Sequence, residues 1–324
     1  MSRAQNRILY LSGEDVSACA ITPSNVNALV EASLLAKAKG RAASSPTMTM
    51  TLPGGGRFIA KGGAGDELGF AAVKWFGINP GHPATGVQDP RPLLFLSDAD
   101  GGAPVAIMEA SWITAVRTAA ISAVAAKHMA RQDSRSVGFI ACGAQARSHL
   151  AALRAIFQIE RVIGFSRRRE TAERFCEEVR QSGLAAEVAL VPADAVAEAD
   201  LVVTSVPPDS QSNGFLDGDW VPPGTFAAMV DRGYSWKKSA FSVFNRIVTD
   251  DLALSGPGGS ERLNFDQDLA GDLGQIVSGS VAGRRSNDER TAIAFSGMGL
   301  VDAAVAIGVY QRARAKGLGS LLPL

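Results

Sequence analysis

Ser136-Val137-Gly138-Phe139-Ile140-Ala141-Cys142-Gly143-Ala144-Gln145-Ala146 reads as a buried strand that runs into a tight turn of small residues and then into a helix. Val137, Phe139 and Ile140 supply the strand, and residues 146–157 can supply the helix. Such a turn aims backbone N–H groups and a helix N-terminus at whatever lies over it, which suits a diphosphate. The dinucleotide fingerprint has glycine at its first position, for the turn; here that position is Ala141. The second glycine is Gly143 and the third position is Ala146, a small residue that permits helix–strand packing. Taken alone, the motif also fits an ordinary strand–turn–helix. The surroundings favour the dinucleotide. Residues 161–165 form a second strand at βαβ spacing, residues 170–182 a helix, and residues 199–207 a buried parallel strand ending in a loop. The nucleotide domain therefore lies mid-chain, and the first hundred-odd residues must build something else, which would hold the substrate.

The end of the second strand bears on which dinucleotide. An NAD enzyme usually has Asp or Glu there, accepting from the ribose 2′-OH. This chain has Ser166-Arg167-Arg168-Arg169. No carboxylate would repel a 2′-phosphate, and guanidinium groups can pair with one bidentately. A solvated basic loop is the other reading. NADP(H) is the preferred expectation, with NAD(H) possible.

The composition excludes several classes. The 324 residues suffice for two domains with real cores. Lys+Arg and Asp+Glu are 32 each, so no net charge argues for nucleic acid or membrane. Leu9-Tyr10-Leu11 is too short for a signal peptide, and no run approaches a transmembrane length. Cys19, Cys142 and Cys176 are odd in number, lack metal spacing and fit a reducing cytoplasm. Cys142, inside the turn, is a packing residue or a thiol activated by the helix N-terminus. His82, His128 and His149 form no ligand pattern and read as structural, so no metal is expected.

Before the nucleotide domain the chain reads as α+β. Thr22-Pro23 caps a helix through Lys39, with Gly40 after its end. Strands are expected over 47–52 and 57–61, joined by Pro53-Gly54-Gly55-Gly56, then over 71–76, 92–98 and 105–109, with a hairpin turn at 98–102. A long helix over 112–131 leads into the nucleotide domain. Stretches near 255–260 and 278–286 read as loops.

Two segments carry a family resemblance: Val73-Lys74-Trp75-Phe76-Gly77-Ile78-Asn79-Pro80 and Glu109-Ala110-Ser111-Trp112-Ile113-Thr114-Ala115-Val116-Arg117-Thr118-Ala119-Ala120. With Gly143-Ala144-Gln145-Ala146 and Gly297-Met298-Gly299-Leu300-Val301-Asp302-Ala303-Ala304-Val305-Ala306, they resemble the ornithine cyclodeaminase/mu-crystallin family over nearly the whole chain, in the family's order. The resemblance implies an α/β fold: a Rossmann dinucleotide-binding domain, residues 119–302, inserted into an α+β substrate-binding and dimerisation domain, residues 1–118 with 303–324. It implies a homodimer.

The resemblance also assigns residues. The family's Lys, here Lys74, contacts the substrate carboxylate near the reacting carbon; its Arg, here Arg117, bridges substrate and cofactor. Read physically, Lys74 is a cation inside an apolar strand, needing a partner or a shifted pKa unless it faces water from an edge. Arg117 has small neighbours that leave room for a ligand, or else is a surface Arg. Hydride transfer to an imine must be matched by proton movement. Asp231, ending the apolar strand expected over 221–231, resembles the family's catalytic Asp, with a loop cap as the other reading. Catalytic candidates are thus Lys74 and Asp231; substrate-binding candidates are Lys74, Arg117 and Gly297. Cofactor-binding candidates are Arg117, Thr118, Gly143, Ala144, Gln145, Ser166, Arg167, Arg168, Thr204, Val206 and Met298.

Departures from the family pattern narrow the chemistry. Members often place the Asp a few residues later, where residues 232–236 offer none. Members acting on ornithine carry a further Arg where Thr47, Met48 and Thr49 stand, and a Glu where Ile59 or Ala60 stands; Lys61 or Arg57 are the nearby cations. Ornithine cyclisation is disfavoured. The resemblance then implies an NAD(P)H-dependent oxidoreductase acting on the C=N or C–N bond of a small imino or amino acid. The alternatives are a cyclodeaminase that retains NAD and a non-catalytic ligand-binding protein of the mu-crystallin kind.

Overall fold

The computed structural model describes residues 7–78, 91–207, 214–255 and 262–324. Asn79-Pro80, His82 and most of the 255–260 stretch lie outside the described residues. The chain divides into two compact units, residues 1–117 with 298–324 and residues 118–297.

The first unit opens with β1 (Arg7–Leu11), α1 (Gly13–Ala18) and α2 (Pro23–Ala38). Thr22 caps α2, its hydroxyl accepting from the Asn25 N–H at 3.3 Å. Strands β2 (Ala42–Ser44), β3 (Met48–Thr51), β4 (Arg57–Gly65), β5 (Phe70–Ile78), β6 (Leu93–Asp98) and β7 (Pro104–Glu109) follow, then the start of α3 (Ser111–Met129). The turn after β3 and the hairpin at 98–102 lie where the sequence placed them, closed by Gly55 N–H to Leu52 O and Gly102 N–H to Asp98 O.

In the second unit, α3 is followed by β8 (Ser136–Ile140), α4 (Ala144–Arg154), β9 (Arg161–Phe165), α5 (Arg169–Gln181), β10 (Ala185–Val188), α6 (Pro192–Ala197) and β11 (Leu201–Thr204). Then come β12 (Phe226–Met229), β13 (Arg246–Val248), α7 (Leu252–Ser255), α8 (Leu273–Ser278) and β14 (Thr291–Ala294). The chain re-enters the first unit as α9 (Gly299–Lys316) and β15 (Ser320–Pro323).

Among the described residues the first-unit sheet runs β15-β1-β7-β6-β5-β4-β2, with β3 also on β4. It is antiparallel except where β1 meets β7. One face is packed by α9, which in turn packs on α2. The alternation of β6 separates the faces: Leu94 and Leu96 are buried, Leu93 and Phe95 are exposed. The second-unit sheet, β10-β9-β8-β11-β12-β14-β13, is parallel throughout. Its strands read as near-continuous apolar runs because helices cover both faces. The strand order reverses outward from β8 and β11, the doubly wound pattern that binds dinucleotides at the strand C-termini. Among the described residues no helix is long and apolar enough to cross a membrane.

The structure differs from the sequence expectation at several element boundaries, three of which bear on the site. The expected boundary at 302/303 falls inside α9, which begins at Gly299. Helix α4 starts at Ala144 rather than 146, because Gly143 already serves as its N-cap. The 221–231 stretch is a strand only over Phe226–Met229; Pro222, Pro223 and Gly224, the last at φ +84°, form a turn that cannot join the ladder.

Candidate active site

Lys74 lies on the inward face of β5, 1% exposed, opposite Lys61 of β4 and Leu94 of β6. Its Nζ donates to Asp302 Oδ1 at 2.8 Å and to Thr114 Oγ1 at 3.2 Å. Arg117, also buried, places Nε 3.0 Å from the same Asp302 oxygen. Burial pushes Lys74 down to about 8; Asp302 opposes this, while Arg117 and Lys61 add to it. Burial pushes Asp302 up, but Arg117, Lys74 and Lys61 outweigh it and hold its carboxyl below the usual range. The strand therefore buries Lys74 with a partner, and the edge-strand reading fails. Of the two cations near the family's missing Glu, Lys61 is buried and Arg57 is exposed. Met48 and Thr49 are exposed on β3.

The second unit holds the turn. Ala141 takes φ +77°, the left-handed backbone that the fingerprint's first glycine normally supplies. The Cys142 N–H donates to Ser166 Oγ at 2.8 Å, so Ser166 ties the end of β9 to the turn. Gly143 caps α4 with no side-chain bond, and a Cβ built there meets nothing within 4 Å. The space beside this helix N-cap is therefore free of protein atoms, which suits the close approach of a diphosphate. Arg147 Nη1 donates to the carbonyls of Cys142 and Gly143 at 3.1 and 3.0 Å, which fixes the backbone of the turn. Gln145 Oε1 is buried with no hydrogen-bond partner among the described residues. Burial pushes the Cys142 thiol up to about 12, against the Ser166 hydrogen bond, so this is a packing thiol. His149 is structural. Its Nε2 meets Ser122 Oγ at 3.0 Å, its Nδ1 donates to the Gln145 carbonyl at 2.8 Å, and burial pushes it down to about 4.

Ser166, Arg167 and Arg169 line a cleft of about 490 Å3 with Val188, Leu190 and Phe215. Arg167 and Arg168 are exposed, and Arg169 pairs with Glu173 at 2.7 Å. A ligand reaching this cleft meets cations and apolar walls, with no acidic side chain among those lining it.

Asp231 lies two residues beyond β12, 7% exposed. Its Oδ1 accepts from Thr204 Oγ1 at 2.9 Å and from the Gly233 N–H at 3.2 Å. Burial pushes its carboxyl up to about 6; the Ser235 and Thr204 hydroxyls and the Gly233 and Val206 N–H groups oppose the rise. Thr204 and Val206, picked from the sequence as cofactor contacts, thus surround the Asp231 carboxyl. Arg232 at φ +59° and Gly233 at φ +83° turn the chain sharply after it.

Gly297, at φ +84°, donates its N–H to Asp250 Oδ2 at 2.8 Å. Met298 caps α9 and is fully buried. Lys74, Arg117 and Met298 therefore belong to the first unit; Thr118, Gly143, Ala144, Gln145, Ser166, Arg167, Arg168, Thr204, Val206, Asp231 and Gly297 belong to the second.

Residues 11–317 match the ornithine cyclodeaminase/mu-crystallin family. The chain belongs to this family. Alanine dehydrogenase of Archaeoglobus fulgidus is 31% identical over 262 residues, 78% of this chain and 80% of the relative. Delta(1)-pyrroline-2-carboxylate reductase of Bacillus cereus is 30% identical over 256 residues, 76% of this chain and 79% of the relative. The Thermococcus litoralis Delta(1)-pyrroline-2-carboxylate reductase, solved with NADH and L-proline, superposes with a TM-score of 0.86 at 26% identity, covering 97% of this chain and 99% of that one. An archaeal alanine dehydrogenase dimer with bound NAD gives 0.85 at 28% identity, covering 98% and 99%.

In this family member sequence reasoning passed over Asp302 and Asp250. Asp302 stands within the family's C-terminal run, residues 297–306. Its signal was available: a lone carboxylate inside Leu300-Val301-Asp302-Ala303-Ala304-Val305 must be paired or neutral once that helix is buried. Asp250 stands in Thr249-Asp250-Asp251, which reads as an ordinary capping loop; its bond to Gly297 joins positions 47 residues apart and leaves no local trace.

Proposed function

We propose that the protein transfers a hydride between NADP(H) and the C=N or C–N bond of a small 2-imino or 2-amino acid, as an imine reductase or amino-acid dehydrogenase. The class, a nicotinamide-dependent oxidoreductase at a carbon–nitrogen bond, is supported by family membership and by relatives named for such reactions. The observation that carries the reading is Asp231. It is a buried carboxyl poised near neutrality, fixed by Thr204 and Gly233, at the C-terminal end of a parallel strand.

The residues present fit a dinucleotide. The open space at Gly143 admits a diphosphate that a side chain would obstruct, and Gln145 Oε1 retains an unused acceptor. The nicotinamide, when bound, supplies or accepts the hydride. Lys74 and Arg117 bind the substrate carboxylate and so orient the adjacent carbon. Asp231 gives a proton to the substrate nitrogen on reduction and takes one on oxidation. Thr204 holds Asp231 Oδ1, which leaves Oδ2 for that exchange. Preference for NADP(H) is supported by the Ser166-Arg167-Arg168 sequence and by the cleft that Ser166 and Arg167 line. Lys61, a buried cation beside Lys74, disfavours a diamino substrate such as ornithine, whose ammonium it would repel.

The test is NADPH oxidation against 2-keto acids with ammonia or amines and against preformed cyclic imines, with the amine product identified. Turnover of a 2-imino acid is expected. Tight NADPH binding with no turnover across the panel would point to a ligand-binding protein instead.

We also propose a homodimer in the cytoplasm. Tyr10, Val73, Leu93 and Phe95 share the sheet face opposite α9 by register, and each is at least 38% exposed. A patch of this kind marks an association surface. Three buried free thiols suit a reducing compartment. A stable monomer by light scattering at micromolar concentration would count against the dimer.

A further inference from the structure

In the first unit, three cations crowd one carboxylate. Lys74 and Arg117 both approach Oδ1 of Asp302, at 2.8 and 3.0 Å. Lys61 faces Lys74 from the neighbouring strand. Thr114 of α3 accepts from Lys74, and the β6 neighbour is the apolar Leu94. Arg117 Nη1 is buried with no hydrogen-bond partner among the described residues.

Asp302 reaches this point through a backbone contact that side chains would forbid. A Cβ on Gly63 would lie 2.4 Å from Leu300 Cα, and one on Gly299 would lie 2.3 Å from Gly62 O. The first turn of α9 thus rests directly on β4, and Asp302 in that turn sits at the positive end of the helix. The sheet and helix place a single anion below two cations.

We propose that Asp302 is a positioning residue: its Oδ1 gathers the Lys74 ammonium and the Arg117 guanidinium into one clamp and supplies the countercharge that keeps Lys74 cationic. The proposal rests on the reading of Lys74 and Arg117 as the carboxylate-binding pair. A buried ammonium beside other cations sheds its proton unless an anion opposes this. Asp302 is the group that opposes it here, against burial, Arg117 and Lys61. Sharing one oxygen also fixes both head groups, leaving Arg117 Nη1 and the one remaining Lys74 hydrogen for a ligand.

The Lys74 Nζ titration is measured on the full chain without substrate, by 15N NMR of labelled lysine side chains, the signal being assigned by its loss in Lys74→Gln. The wild-type midpoint is expected at about 8. Asp302→Asn should lower it by about a unit or more, since the carboxylate charge goes while an acceptor at Oδ1 remains. Lys61→Met should raise it, and Asp302→Glu should restore it towards wild type. Pyruvate binding at pH 8, by calorimetry, should weaken about tenfold or more in Asp302→Asn, the loss of one charge-assisted contact. The loss should shrink at pH 6, where Lys74 is charged in both proteins. A midpoint unmoved by Asp302→Asn overturns the proposal. If that variant fails to fold, an unmoved midpoint in Lys61→Met overturns it. Shifted midpoints with no pyruvate binding by wild type would support the role of Asp302 and defeat the carboxylate reading of the clamp.

Discussion

Asp302 and Asp231 are both buried carboxyls, one in each unit, and their surroundings push them in opposite directions. Around Asp302 stand Lys74, Arg117 and Lys61, and the cations outweigh burial. Around Asp231 stand hydroxyls and backbone N–H groups, and burial outweighs them. The first is a fixed countercharge and the second can exchange a proton near neutrality. Burial alone does not assign a role; the charge of the neighbours does.

The largest expected effect tests that division. Asp231→Asn keeps the shape but cannot exchange a proton, so kcat should fall by about 10²-fold or more. NADPH binding should persist, because the turn at Gly143 is untouched. Stability should move the other way. A carboxyl whose folded pKa is raised from 3.8 to about 6 costs stability when ionised, by about 2–3 kcal/mol at pH 8. The cost is fully present above about pH 6 and disappears as the pH falls below the unfolded value of 3.8. Asp231→Asn should therefore stabilise the cofactor-free protein at pH 8 and not at pH 4, by denaturant unfolding. Asp302→Asn should show the opposite sign. Its lowered pKa contributes stability above the usual carboxylate range, lost as the pH falls through the folded value. Unchanged turnover by Asp231→Asn would move the proton to Lys74 or a bound water and break the comparison.

A second effect separates binding from chemistry. Arg117→Ala removes a contact made in both ground and transition states, so it should mainly raise KM, by roughly ten- to a hundredfold for one or more charge-assisted bonds. A fall in kcat at constant KM would place Arg117 in the chemical step instead.

The third effect concerns the cofactor. Ser166→Asp with Arg167→Ala should shift preference from NADPH towards NADH by about tenfold or more, through like-charge repulsion and loss of a phosphate partner. Ser166 also holds the Cys142 N–H, and Asp can accept that bond, so the turn should survive. Stronger NADH than NADPH binding by wild type would remove the premise.

The two units were not equally legible. The second announced itself through local patterns: apolar runs for β8, β9 and β11, and small residues at the turn. Each can be read within a few residues, because parallel strands buried on both faces must be apolar. In the first unit β3 to β7 are also visible, and Lys74 and Arg117 stand out through the family resemblance, but β1, β2, β15 and the carboxylate that joins the two cations do not. The burial of Lys74 could be expected from its strand, while its partner Asp302 lies 228 residues away in sequence. Gly63 and Gly299, far apart in sequence, set the helix–sheet contact, because a Cβ on either would strike backbone of the other element. Such contacts leave no periodic trace. Strand β12 is shorter than the apolar pattern suggests, because Val221 and Phe226 read as one apolar run across the Pro222-Pro223-Gly224 turn.

The smallest effect tests the turn itself, through two substitutions that should do opposite things. Ala141 holds φ +77°, which costs an L-residue about 1–2 kcal/mol relative to glycine. Ala141→Gly relieves that strain but gives the unfolded chain more freedom, about 0.5–1 kcal/mol. The net should be a gain of about 0.5–1 kcal/mol in unfolding free energy, with NADPH affinity unchanged. Gly143, at φ −84°, tolerates a side chain, and its Cβ would meet no protein atom within 4 Å. Gly143→Ala should therefore leave stability nearly unchanged while weakening NADPH, because the new methyl stands where the diphosphate must approach. Stability is a property of the chain alone and cofactor affinity is a property of the open space, so the pair separates them. Gly143→Ala binding NADPH as wild type does would show that the diphosphate does not approach over this turn.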